Sequence, residues 1–334
     1  MMITEWKALI NNVLIWEMEI LSPFFKFKIM NSKKVPQYVN SISQVHRMLN
    51  LPSPKHPLVS VIELSKLNSS DRPVPGSFVN EFYSIFIKKD FDGKMRYGQQ
   101  FYDFDNGVMI FCSPGQLISV EDTGSNKPKG WWLLFHPDFL QTYPLAQKIL
   151  QFGFLKYEMN EALHLSEDEE ITLSRIMENI EKEYMNSIDN FSQDVIISHI
   201  ELLLNYSNRY YNRQFITRKL TNNDLLINLE NLLESYFNEG LPQVQGLPTV
   251  AFISSKLNVS PNYLSDMLRV TSGQTTQFYI HEKIIQRAKN ILLTTNLTAT
   301  EVAYHLGFDF PQSFSKLFKA KTNLSPIEFK KSFN

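Results

Sequence analysis

The sequence predicts an α+β chain of two unlike parts, a β-rich region that gives way to helices and then an all-α C-terminal region. Three observations predict it. Short aromatic and β-branched runs separated by turn residues fill positions 58 to 136. Helical periodicity takes over from Glu167. Over the last 85 or so residues, one helix-turn-helix pattern is written twice, about 50 positions apart.

The opening thirty residues form an apolar stretch, Ala8 to Ile20, broken by Glu17 and Glu19 and followed by Pro23. It is too short and too charged to span a bilayer, and it lacks the basic start of a secretion signal. The expectation is a dispensable extension over 1–29 with Met30 as the natural start. A helix packed on the body is the alternative. No membrane association is expected, and a cytoplasmic location is.

The β-like runs are Leu58–Leu64, Phe82–Lys88, Lys94–Phe104, Val108–Cys112, Leu117–Val120 and Trp131–Phe135. Pro75-Gly76, Asp92-Gly93, Asn106-Gly107, Pro114-Gly115 and Gly124 punctuate them. Many short strands at this spacing predict a small sandwich or barrel. Its aromatic residues alternate between faces. They either fill the core or line a cavity for a small apolar or aromatic effector, for which Tyr83, Phe86, Tyr97, Phe101 and Trp131 are the candidates. Cys112 is the only cysteine, which excludes an intramolecular disulfide or a zinc-cysteine cluster and predicts a buried thiol. His136 is the only histidine between 60 and 140, so a metal site of convergent histidines is not expected. Next to Pro137 it reads as a hydrogen-bonded turn residue. No metal, no cofactor and no nucleophile-base pair are expected, which argues against an enzyme.

Glu167 to Phe215 reads as two helices, with stripes of Ile171, Ile176, Ile180 and Tyr184, and of Val195, Ile196, Ile200, Leu203 and Leu204. The cationic run Arg209 to Arg213, continuing to Arg218-Lys219, reads as a solvated helix end or as a nucleic-acid contact. A further helix, Asp224 to Asn238, leads into a linker over 239–248 that holds two glycines and two prolines.

Within the doubled motif, Ile253 and Leu257 match Val302 and Leu306, four apart on one helix face. Asn258 and Gly307 then suit a left-handed turn, and Val259 and Phe308 plug the corner. Leu264 with Leu268, and Phe314 with Phe318, form the buried stripe of each second helix. What remains outside is polar: Asn262, Tyr263, Ser265, Asp266 and Arg269 in the first copy, Gln312, Ser313, Ser315, Lys316 and Lys319 in the second. Such side chains suit hydrogen bonding to base edges and phosphates of double-stranded DNA. Thr298-x-x-Glu301 and Ser325-Pro326-x-Glu328 read as capping boxes, and Ser260-Pro261 as a cap with proline at the first helical position. The helix between the copies, Thr275 to Leu293, would span about 28 Å at 1.5 Å per residue. With short connections it can hold two reading helices one DNA turn, about 34–36 Å, apart. From Val244 onward ten Lys/Arg face five Asp/Glu, +5, leaving 23 against 29, −6, for the rest. A basic end on an acidic body fits a DNA-binding module joined to a sensing or dimerisation module.

Residues 247 to 333 resemble the tandem helix-turn-helix domain of the AraC family of transcription regulators. The resemblance rests on Val302-Ala303, Leu306-Gly307-Phe308, Phe314-Ser315, Phe318-Lys319, Ser325-Pro326 and Phe329 at fixed spacings. Asn323 departs from the usual glycine, and Phe329-Lys330 from the usual Tyr-Arg. A second resemblance, carried by Asp105 to Phe111 and Pro114-Gly115, is to a strand-turn-strand of a cupin-like barrel. Together they imply an N-terminal cupin-like β-barrel with a helical extension and a C-terminal double helix-turn-helix. The expected organisation is an extension over 1–57, a barrel over 58–140, a helical dimerisation or packing region over 141–238, a linker over 239–248 and a DNA-binding domain over 249–334. The function implied is a one-component, effector-responsive transcription regulator acting as a homodimer. A ligand-independent DNA-binding protein and a cupin-like enzyme with an appended DNA-binding domain are the alternatives.

Overall fold

The computed structural model describes residues 36–67, 76–89, 96–97, 100–101, 107–120, 129–158, 161–186, 189–217 and 219–333. The expectation for 1–29 lies outside the described residues, as do the side chains of Tyr97 and Phe101.

The chain enters through β1 (Gln37–Val39) and α1 (Ile42–Met48), neither of which was expected from the sequence. It continues through β2 (Val59–Glu63), β3 (Gly76–Asn80), β4 (Tyr83–Lys89), β5 (Arg96–Tyr97), β6 (Gln100–Phe101), β7 (Gly107–Cys112), β8 (Leu117–Val120) and β9 (Lys129–Phe135). A late strand, β10 (Leu163–Leu165), returns to the sheet after a run of short helical turns. The main sheet has the order β10-β7-β4-β9-β2, antiparallel throughout. A three-stranded sheet, β1-β3-β8, pairs β1 parallel to β3 and β3 antiparallel to β8. The region is β-rich as expected, but among the described residues the strands form separate sheets rather than a closed barrel.

Side chains alternate across the sheet, so the two faces of β4 have different fates. Tyr83, Ile85 and Ile87, with Trp131, Leu133 and Phe135 beside them, pack into the cluster that includes the helices. Ser84, Phe86 and Lys88 point the other way, among residues that pack with the smaller sheet and α1. Tyr83 and Trp131 therefore belong to the helix-facing core and not to a cavity between the sheets. Phe86 alone of the described cavity candidates lies on the inner face.

Two long helices follow, α2 (Glu167–Met185) and α3 (Ser192–Thr217). Ser166 and Glu169 close a capping box at the start of α2. Ile176, Ile180 and Tyr184 are buried as expected, while Ile171 and Val195 are exposed. The cationic run is divided: Arg209 is exposed, Tyr210 and Tyr211 are buried, and Arg213 donates to Glu169 and to the His164 carbonyl. Arg218 lies outside the described residues. After α4 (Lys219–Asn238) come a single helical turn, Pro242–Gln245, within the expected linker and then six further helices: α5 (Val250–Lys256), α6 (Pro261–Ser272), α7 (Thr276–Thr294), α8 (Ala299–His305), α9 (Pro311–Thr322) and α10 (Pro326–Lys331). One apolar core runs without a break from the helix-facing side of the sheet through α3 into these helices. No helix among the described residues is long and apolar enough to cross a membrane.

Candidate nucleic-acid interface

The two helix-turn-helix units are α5–α6 and α8–α9. Each turn is left-handed where a short or absent side chain was expected: φ is 54° at Asn258 and 88° at Gly307. Asn323, which ends α9, has φ 62°. The glycine at 307 answers a second demand. A Cβ there would stand 2.7 Å from the Gly246 carbonyl carbon and 2.8 Å from the Pro242 oxygen, because the preceding chain crosses directly over the turn.

The caps form as the residue types dictate. Ser260 Oγ accepts from the Tyr263 amide at 3.1 Å, with Pro261 following at the first helical position. Thr298 with Glu301, and Ser325 with Glu328, make reciprocal capping boxes. Lys330 Nζ donates to the carbonyls of Thr295 and Leu297, fastening α10 to the end of α7. Lys321 pairs with Glu282 at 2.7 Å and lies over the Phe278 ring, fastening α9 to α7. The spacing of the two units is thus braced at both ends of the intervening helix.

The second unit displays what its sequence offers. Gln312, Ser313, Lys316 and Lys319 are exposed and Ser315 is half-buried, while Phe314 and Phe318 fill the core behind them. The amide end of α9 has no side-chain cap, since Phe310 occupies that place. Pro311 has no N–H and the Ser313 amide bonds the Phe310 carbonyl, so it is the partial positive charge of the uncapped end, with the Gln312 amide, that suits a phosphate.

The first unit differs from expectation. Tyr263 is buried, edge-on to Tyr157 at 5.3 Å and to Phe215 at 5.1 Å. Asp266 accepts from Tyr157 Oη at 2.8 Å and from Arg269 at 2.9 Å. Burial, with the Asp266 charge adding to it, holds the Tyr157 hydroxyl well above the usual tyrosine pKa. Ser265 bonds Thr276, and Asn262 is half-buried, which leaves Arg269 as the one exposed member of the five.

The cause lies outside the repeat. The segment that precedes β10 lies against α6 and presents Glu161, whose carboxylate accepts from the Ser260 amide at 2.5 Å and from its hydroxyl at 2.6 Å. Glu161 is itself buried, and that burial raises its pKa against the opposing pull of the Ser260 bonds. A carboxylate of the same chain therefore sits at the N-terminus of the first reading helix. Sequence reasoning missed Glu161 and Tyr157; no local pattern marks a partner about a hundred residues away.

The same segment is tied to the sheet. Ser113 Oγ, just past β7, donates to the Leu155 carbonyl at 2.5 Å, and Gln116 donates to that of Tyr157 at 3.0 Å. Aromatic rings continue the connection from Phe111 through Phe154 and Tyr211 to Tyr157 and Tyr263. Elsewhere His136 takes the predicted turn role, accepting from the Asp138 amide, and no group of residues suited to a metal ion occurs among the described residues.

Comparison with known proteins matches residues 253–332 to the family described as helix-turn-helix domain. A helix-turn-helix-type transcriptional regulator of Pseudoalteromonas carrageenovora is 34% identical over 100 residues, 30% of this chain and 54% of that protein. The arabinose operon regulatory protein of Escherichia coli is 32% identical over 81 residues, 24% of this chain and 28% of that one. Histidine kinase P4 of Formosa agariphila is 28% identical over 85 residues, 25% of this chain and only 6% of that protein. The chain spans about half or less of the curated relatives it matches. The C-terminal region is a helix-turn-helix DNA-binding domain of the AraC type.

Proposed function

We propose that this chain is a sequence-specific, double-stranded-DNA-binding regulator of transcription, with an effector-responsive N-terminal region of cupin-like descent, acting as a cytoplasmic homodimer. The observation that carries the reading is the pair of braced helix-turn-helix units, one of which presents a polar, uncapped helix end to solvent. In this reading Gln312, Ser313, Ser315, Lys316 and Lys319 contact DNA directly. Asn262, Ser265, Asp266 and Arg269 join them when α6 is released, with Tyr263 following if its ring leaves the aromatic core.

Responsiveness is supported by the docked first unit. Glu161 occupies a helix end at which a DNA phosphate would otherwise bind, so full engagement of both grooves requires Glu161 and Tyr157 to withdraw. The segment that carries them hangs from the end of β7 by the Ser113 and Gln116 bonds, which supplies a physical connection between the sheets and the reader. A bistable contact of this kind is what an effector biases.

The test is selection of bound sequences from a random duplex library by the full chain, followed by titration of the selected site. A defined motif spanning two successive major grooves is expected. Binding without any sequence preference, and unaltered by Lys316→Ala, would sink the reading.

A further inference from the structure

The inner face of β4 holds a stripe that does not belong in an apolar sandwich. β4 is the central strand of the main sheet, and its inward residues are Ser84, Phe86 and Lys88. The strands on either side place Val108, Ile110 and Cys112, and Trp132 and Leu134, on that same face. The smaller sheet adds Phe78 and Ile118. Lys88, half-buried near the end of that face, carries a desolvation cost that an ion pair ordinarily offsets.

Among the described residues the Lys88 side chain has no hydrogen-bond partner and no salt bridge. Burial depresses its pKa, and its ionisable neighbour among the described residues is Cys112, whose thiol is itself pushed up to about 12 and is therefore neutral. Ser84 Oγ and Trp132 Nε1, both fully buried, also lack any partner. Natural interiors rarely leave such groups unpaired, and each one calls for an explanation. Two of them lie together, Trp132 being registered opposite Phe86, the next residue after Ser84 on the inner face of β4, and the half-buried Lys88 follows one step further along that face. Cys112 registers opposite Ser84 on the same face.

Packing gives a second, independent sign. The buried apolar residues between the sheets fall into two separate clusters, one around Ile62, Phe82, Trp132 and Leu134, the other around Val108, Ile110 and Cys112. Of the described side chains only Phe86 touches both, and it is itself half-buried, stacked on Trp132 at 4.8 Å. A single domain core is ordinarily contiguous. Among the described residues the division falls at β4, with Trp132 on one side and Cys112 on the other.

We propose that the inner face of β4 and β9 binds a small carboxylate with an apolar body, Lys88 serving as its counter-ion and Trp132 Nε1 and Ser84 Oγ as hydrogen-bond donors. The apolar body lies along the Phe86–Trp132 rings. A carboxylate has the acceptors that these three donors lack, and it restores the partner that Lys88 is missing. The inference rests on the effector-responsive reading above and names the chemical class of the effector.

The test is calorimetric titration of the full chain with phenylacetate and octanoate, each against its amide. The carboxylates bind and the amides bind at least about tenfold more weakly, the equivalent of one charge-assisted contact. Lys88→Met removes most of the difference, Lys88→Arg retains it, and without ligand Lys88→Met melts no lower than the wild type because an unpaired charge has gone. The proposal is overturned if no carboxylate binds, if amides bind equally, or if Lys88→Met binds the carboxylates as before. DNA titration on the same samples separates it from its premise. Lys88-dependent binding that leaves DNA affinity unchanged defeats the effector reading and keeps the site. A DNA response that survives Lys88→Met does the reverse.

Discussion

The two helix-turn-helix units share one local design and live in different surroundings. Both bend through a left-handed residue, and both bury the same apolar stripe on the second helix. In the first, the amide end of α6 is met by Glu161, Tyr263 is buried in an aromatic cluster and Asp266 is held by Tyr157. In the second, the amide end of α9 is open and its polar residues face solvent. Local sequence decides whether a reading helix forms, whereas long-range contacts decide whether it is available. A pattern repeated in the sequence need not be repeated in use.

The comparison breaks most severely at the turns. Gly307→Val places a branched side chain at φ 88° against the backbone of Gly246 and Pro242, so strain and overlap add. We expect a loss of about 3 kcal/mol or more in stability, with the second unit distorted and specific DNA binding abolished. Asn258→Gly at the matching turn meets no such demand and should change stability by less than about 1 kcal/mol. Thermal unfolding of both variants checks this. Equal effects at the two turns would contradict the claim that the crossing chain makes Gly307 obligatory.

Next in size are the exposed cations. Lys316→Ala should weaken DNA binding by about 1–3 kcal/mol if Lys316 reads a base, altering preference at one position, or uniformly across sequences if it meets only phosphate. Arg269→Ala should do little in the wild-type chain, where Arg269 pairs with Asp266 on a docked helix. In a Glu161→Ala background it should approach the Lys316 effect. Anisotropy titrations of the four proteins on a selected site give the cycle. An Arg269 effect that is large from the outset would mean that α6 already reads DNA while docked.

How far the sequence foretold this depends on how local each signal is. The repeat was legible because four-residue spacings, cap residues and a left-handed turn all act within one short segment. The strands were legible from alternation, but not which face looks inward. In Tyr83 to Lys89 the polar phase, Ser84 and Lys88, ordinarily marks the solvent side, and here a second sheet covers it. Of the described aromatic candidates, Tyr83 and Trp131 take the core-filling alternative on the helix-facing side, and Phe86 faces the second sheet. β1, β3 and β10 were missed because each is short and owes its extended form to a neighbour far away in sequence. The Glu161–Ser260 contact leaves no local trace at all.

Glu161→Ala attacks the difference between the units directly. It removes both acceptors from Ser260 and a buried carboxylate that raises the cost of its own docking. We expect DNA affinity to rise about tenfold, a coupling of about 1.4 kcal/mol, within the usual range between linked sites. Proteolytic cleavage in the 239–248 stretch should rise alongside, as the helices leave the body. Unchanged affinity together with unchanged cleavage would show that Glu161 is a structural contact with no influence on the reader.

The smallest effect tests whether the docking contacts act as one. Tyr157→Phe deletes the hydroxyl that donates to Asp266 but keeps the ring against Tyr211 and Tyr263. Asp266 retains Arg269, so the loss is one hydrogen bond, about 0.5–1.5 kcal/mol, and DNA affinity should rise about threefold. Combined with Glu161→Ala it should add almost nothing. Both residues sit on the segment that withdraws as a unit, so releasing it once forfeits both contacts together. Simple additivity of the two changes would mean instead that α6 peels away contact by contact, and that the first unit has a graded rather than a two-state availability.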